Sequence, residues 1–431
     1  MKRALALTAV ALLAMRAGAA AQSGNGVPVV TLEQARQRAQ SMDSRGVAAR
    51  GQVETAAWER RSAFTDLVTP HVSAGTSYTR FSDPFFNFGT GAISPSATSA
   101  TLQASYTVLG RGKLSEVKRA RASFESAIAN ESVTEYRIAL AIDGAFYGIL
   151  ADHELRSVAT ERLARAQEQL AIARVRVQSG AAIATDSLQL VLEANRARLD
   201  LLRRDSALAV SRLRLGSGIG LSGPAEAAPI ETAAPQPLPF TQDEAIAELR
   251  LRGPELNAAR AIERHAGAAL ATQREAYLPE VTIGATMGAY DAEFFPSALN
   301  RSQLVLNVSL PIWNGGQREL AIARARADRN TARAEREQRE RAAAEVMAAA
   351  YNGYQTARLS IDLANAGVVA ASENYRVQGA RYREGATTIL DLLEAQVALS
   401  EAQATLVQSR YAVRLALAQL EGLLGRRIFT P

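Results

Sequence analysis

Asp391 and Glu394 stand three residues apart in the helical run Ile389-Leu390-Asp391-Leu392-Leu393-Glu394, and so share one helix face. Two acids on one face can do either of two things. On an exposed surface they are a solvated face and nothing more. Around a pore, repeated by several copies of the chain, they form carboxylate rings that favour cations and impede anions.

Other residue types that do chemistry fall into no working constellation. His71, His153 and His265 are the only histidines, none is spaced with carboxylates as in a metal or catalytic cluster, and each reads as structural. Gly216-Ser217-Gly218-Ile219-Gly220 has the look of a phosphate loop, yet it follows a helix and precedes a proline-rich stretch. A dinucleotide turn needs a strand before it and a helix after. With no cysteine the chain has no disulfide, no thiolate metal site and no thiol to carry a lipid. The arginines from Arg333 to Arg341 are interleaved with Glu335, Glu337 and Glu340, the pattern of a solvated helix with internal ion pairs. A formal net charge of +6 over 431 residues does not point to nucleic acid. No catalytic residue, metal or cofactor is assigned, and the chain is not read as an enzyme.

The elements that carry these residues are mostly long helices. Aromatic residues make up 6% of a chain rich in Ala and Arg, a composition that suits helices better than a thick globular core. Residues 1–21 read as a secretory signal: basic Lys2-Arg3, apolar Ala4 to Met15, then Ala19-Ala20-Ala21, with cleavage expected after Ala21. Removing its three basic residues lowers the net charge to +3. No later segment has 18 consecutive apolar residues. A membrane-embedded form of the remaining chain must therefore be a β-barrel, anchored by its own fold.

The chain says the same thing twice, with a period of about 205 to 210 residues. Thr31-Leu32-Glu33-Gln34-Ala35 is echoed by Thr241-Gln242-Asp243-Glu244-Ala245, each opening a helix. Leu67-Val68-Thr69-Pro70-His71-Val72 is echoed by Tyr277-Leu278-Pro279-Glu280-Val281, each closing that helix with proline and starting a strand. Gly180-Ala181-Ala182-Ile183-Ala184-Thr185-Asp186 is echoed by Gly385-Ala386-Thr387-Thr388-Ile389-Leu390-Asp391. The expected organisation is a first repeat at 22–215 with a β-hairpin at 71–109, a Pro/Gly-rich linker at 216–240, and a second repeat at 241–431 with a hairpin at 280–311. Apolar periodicity predicts helices over 31–66, 113–215, 241–276 and 316–424, with the long ones turning back at the glycine motifs. The segment from Lys113 to Ser179 would run about 100 Å.

Four strands of about 9 to 11 residues are expected from two-residue alternation, the length a tilted strand needs to cross a bilayer. The connecting loops, expected at Asp83 to Thr98 and Asp291 to Arg301, hold Phe85, Phe86, Phe88, Phe294 and Phe295 for the membrane interface or the cell surface. Four strands cannot close a membrane barrel, so closure needs several chains, and a homotrimer would supply twelve strands. Two other readings stand beside this one: ordinary hairpins resting on soluble helices, and a periplasmic coiled-coil scaffold without a pore.

The order of signal, helix, hairpin, long helix, tip and returning helix, repeated once, resembles the TolC-like outer membrane efflux proteins over essentially the whole chain after residue 21. Pro311-Ile312-Trp313-Asn314-Gly315-Gly316 resembles that family's turn from the last strand into a long helix. Tyr382-Arg383-Glu384-Gly385, followed by Leu390-Asp391-Leu392-Leu393-Glu394-Ala395-Gln396, resembles its second helical tip. The resemblance implies an α+β membrane protein: long antiparallel coiled coils forming a periplasmic tunnel, plus four strands per chain in a trimeric twelve-stranded barrel in outer membrane lipid. It implies as partners a periplasmic adaptor (membrane fusion) protein and an inner membrane transporter. The function implied is passive export of small molecules in a tripartite efflux system, with a type I protein secretion outlet as the alternative. The resemblance puts Asp391 and Glu394 at the periplasmic constriction and pairs Asp186 with Tyr382 in a gate link. A family arginine is replaced by Thr387, which removes one charged link. It puts adaptor docking at the tips, on Gly180, Ala181, Gly385 and Ala386, where the glycines should permit turns that side chains would obstruct.

Overall fold

The computed structural model describes residues 27–87, 91–180, 182–230, 234–293, 295–296 and 299–429. The expected signal peptide, Ala181, Phe88 and Phe294 lie outside them. In chain order the elements are β1 (Val29–Val30), α1 (Leu32–Met42), α2 (Ser44–Val68), β2 (His71–Asn87), β3 (Ala92–Leu109), α3 (Lys113–Gln178) and α4 (Ala184–Gly218). Then follow β4 (Glu226–Ala227), α5 (Gln242–Arg252), α6 (Pro254–Arg274), a short 3-10 turn at Glu275–Tyr277, β5 (Glu280–Asp291), β6 (Leu299–Ser309), α7 (Gln317–Arg383) and α8 (Ile389–Leu424). Among the described residues no helix is long and apolar enough to cross a membrane.

The repeated Thr-x-x-Gln/Glu signal has one physical cause in both halves. At Thr31 and at Thr241 the hydroxyl accepts the backbone N–H three residues on, while the Gln34 or Glu244 side chain accepts the threonine's own N–H. Each is a capping box. The alanine that follows, Ala35 or Ala245, is fully buried.

Each entry helix, expected unbroken over 31–66 and 241–276, is in fact two. Asp43 accepts the Arg45 N–H at 2.8 Å and restarts the helix as α2. In the second half Gly253 precedes Pro254 at the first position of α6, where a missing N–H costs nothing. An arginine closes both breaks: Arg50 donates to the Gln40 and Ser41 carbonyls, and Arg260 to that of Arg250.

The chain divides into two compact units that cut across the repeats, because each draws on both halves. One holds residues up to 39, 142–233 and 367–411; the other holds 40–141, 234–366 and 412–431. In the first, Arg36 forks onto the buried Asp143 carboxylate at 2.6 and 2.7 Å, and β1 pairs in parallel with β4. The second has a core of Leu249, Leu256, Met347, Tyr354, Leu420 and Leu424, against which Leu238 and Phe240 of the linker pack.

The second unit also contains the antiparallel sheet, in the order β2-β3-β5-β6. The central pairing, β3 with β5, joins the two halves of the chain. Three strands are longer than expected, at 17, 18 and 12 residues, while β6 at 11 has the expected length, and the first hairpin extends well into the predicted loop. Phe85 and Phe86 therefore belong to β2. The pairing survives Pro84, which donates no hydrogen bond, by a register shift between Arg80 and Phe85.

Candidate functional site

Two surfaces could serve transport: the wall made by the sheet and the pair of helical tips. The register settles the character of the wall. Val72, Ala104, Ala285 and Leu304 form one transverse row across all four strands, and Ser73, Gln103, Thr286 and Gln303 form the next. Side chains alternate between faces, so one face is apolar and the other polar. The apolar face is bare in the single chain, with Leu304 76% and Leu306 66% exposed. Such a face is suited to lipid, and the hydroxyl and amide face to water. Among the described residues both edge strands, β2 and β6, have a pairing partner on one side only.

At the tips, Gly180 and Gly385 adopt left-handed backbone, with φ of +74° and +76°. Among the described residues, chain neighbours apart, nothing lies within 4 Å of the place a Cβ would take on Gly180, and at Gly385 only the Arg176 guanidinium reaches that distance. The expectation that side chains would obstruct these turns is thereby refined: the backbone conformation selects glycine, not crowding. Gly385 and Ala386 donate back to the Tyr382 and Arg381 carbonyls and close the second turn.

α8 then starts with a third capping box. The Asp391 N–H donates to the Thr388 hydroxyl, while the Asp391 carboxylate accepts from the Thr388 N–H and hydroxyl at 3.0 and 2.6 Å and from the Thr387 hydroxyl at 2.8 Å. Those donors, Thr388 first, hold Asp391 below the usual carboxylate range. Thr387 thus spends its side chain on Asp391. Glu394 instead lines a groove of about 600 Å³ between α4 and α8, with Leu192, Glu193, Arg196, Leu393 and Val397. Asp391 and Glu394 are both exposed on the helix, but in the single chain they have separate tasks.

Tyr382 is buried against Ala173, Leu190, Ile389 and Leu392. Burial first, and then the nearby Asp186 carboxylate, hold its phenol above the ordinary range, yet the hydroxyl completes no hydrogen bond. Asp186 and Tyr382 are therefore brought close without being joined. The residue that does hold Tyr382 is Arg176, which the sequence reading missed. It donates to the Tyr382 carbonyl and lies 5.0 Å from the ring centroid. Seven residues before each partner of this tie, Gln169 donates to the Tyr375 hydroxyl at 3.5 Å, a second contact between the same two helices.

The outer membrane efflux protein family matches residues 32–221 and 245–426. The chain belongs to that family. Family members are outer membrane channels rather than enzymes, and the outer membrane is the location this membership gives the chain. Outer membrane protein TolC of Salmonella enteritidis is 25% identical over 148 residues, which are 32% of this chain and 30% of TolC. The chain thus spans about 30% of the length of the curated relatives it matches. The CmeC outer membrane channel of Campylobacter jejuni has a TM-score of 0.79 at 16% identity, covering 91% of this chain and 85% of that one. The MtrE outer membrane channel of Neisseria gonorrhoeae has a TM-score of 0.77 at 19% identity, covering 93% and 91%. These likenesses establish the efflux protein fold, with long helices and a small sheet.

Proposed function

We propose that the protein is one subunit of a passive trimeric conduit, the outer membrane component of a tripartite system that exports small toxic molecules from the periplasm. The observation that carries this reading is the sheet: one apolar face, one polar face and two edges with unsatisfied backbone groups. A four-stranded wall of this kind is completed by its own copies, β6 of one beside β2 of the next. The partners in this reading are a periplasmic adaptor at the turns carrying Gly180, Ala181, Gly385 and Ala386, and an inner membrane transporter that supplies energy. Asp391, Glu394, Asp186 and Tyr382 form the periplasmic gate.

A strain lacking the chain, compared with the same strain complemented, tests the reading against a panel of drugs, dyes, detergents and metals. Increased sensitivity restored by the intact gene is the expected result. Native mass of the detergent-extracted protein tests the assembly, and a monomer stable without detergent would overturn the conduit.

A further inference from the structure

On the polar face of the sheet one transverse row differs from the others. It reads Gly75, Thr101, Gly288 and Arg301 across the four strands. Two of its four positions have no side chain, and Arg301 is exposed. Between this row and the Glu280–Ser309 pair at the start of β5, the polar face of β5 and β6 carries Thr282, Gly284, Thr286, Gln303, Val305 and Asn307, none of them charged.

The space above Gly288 is occupied from two residues along the same strand. A Cβ built on Gly288 would lie 2.7 Å from the Tyr290 hydroxyl and 2.9 Å from two of its ring carbons. Tyr290 is therefore folded down over Gly288, with its phenol set in the row between Thr101 and Arg301. Neighbouring strands are about 4.8 Å apart, so the row sets a threonine, a tyrosine phenol and an arginine, all hydrogen-bond donors, on three successive strands.

We propose that this row is an anion-preferring station on the conduit wall, with Arg301 its charge and Thr101 and the Tyr290 phenol its neutral donors. The inference rests on the reading of the polar face as the lumen. Repeated in three copies, Arg301 becomes a ring of positive charge around a water-filled passage with low-dielectric walls, where fixed charges of one sign raise the local concentration of the opposite sign. The ligands it suits are organic carboxylates, sulfonates and phosphates. The acids Asp391 and Glu394 on α8 would act on the opposite sign of charge, so the two stations together favour molecules that carry both.

Because the chain contains no cysteine, Thr101→Cys introduces its sole thiol. In intact cells its labelling rate is measured with two methanethiosulfonates of similar size, one a sulfonate and one a trimethylammonium. Leu102→Cys, on the apolar face, serves as the reference. The expected result is labelling at position 101 and none at 102, with the sulfonate favoured at 101. Adding Arg301→Gln should reduce that preference several-fold, and Arg301→Lys should retain most of it. A preference unchanged by Arg301→Gln would overturn the anion station and leave the lumen standing. If position 101 is closed to both reagents, or 102 reacts as fast, the lumen assignment fails and the station with it.

Discussion

Arg176, near the end of the first long helix, donates to the main-chain carbonyl of Tyr382, near the end of the second, while its guanidinium covers that tyrosine's ring at 5.0 Å. One side chain thus links the two helical turns by a charge-assisted hydrogen bond and a cation–π contact. Arg176→Gln should lower stability by about 1–2 kcal/mol. Thermal unfolding checks this, and single-channel recording should show longer open times if the link restrains the gate.

Tyr382→Phe separates the hydroxyl from the ring. Packing is unchanged and a buried hydroxyl without a partner is removed, so stability should hold or rise slightly. If Asp186 and Tyr382 hold the assembled gate shut, conductance should increase. Unchanged conductance would retire that gate link.

Asp391→Ala and Glu394→Ala should part company. Loss of the Asp391 carboxylate removes the capping box and frays the start of α8, seen as faster amide exchange at Thr388 and Leu392. The Asp391 contribution is present above the ordinary carboxylate range and is lost as pH falls through its lowered folded value. Glu394→Ala should leave exchange unaltered and reduce cation preference in a bilayer.

His265 is titrated against the fold. Burial first, and then Arg119, depress its folded pKa, and its Nε2 has no partner. Such a group favours unfolding as pH falls below the ordinary imidazole range towards its folded value. In denaturant titrations the native chain should lose stability across that window, and His265→Phe should lose less.

Gln396 is fully buried with both amide ends unpartnered. Gln396→Met keeps the volume and discards the unsatisfied groups, and should stabilise by about 1–2 kcal/mol. Calorimetry decides it. A loss of stability would mean that assembly supplies the amide with partners.

What the sequence made legible was whatever is fixed within a few residues. Thr31 and Thr241 announced their helices because a capping box spans three residues, and Gly180 and Gly385 announced their turns because one backbone conformation requires them. The breaks at Asp43 and Gly253 were passed over, because apolar periodicity continues through them and the arginines that close them stand ten residues beyond the carbonyls they bind. The β3–β5 pairing and the Arg176–Tyr382 tie join residues about 180 and 206 apart, and no local pattern carries such a separation. Asp391 was read as a pore charge because its spacing to Glu394 was visible, while its three threonine donor contacts depend on how the turn before it closes.

The seam between β3 and β5 also sets a grammar for change. Ala104 meets Ala285 on one side of the sheet, and Gln103 meets Thr286 on the other. One residue inserted ahead of the seam would turn every side chain beyond it through the wall, greasy to wet and wet to greasy. Two inserted residues would merely slide the pattern along. Strands bound in this way can lengthen by pairs and at their free ends, so each half of the gene is held to the other's parity however far their letters drift.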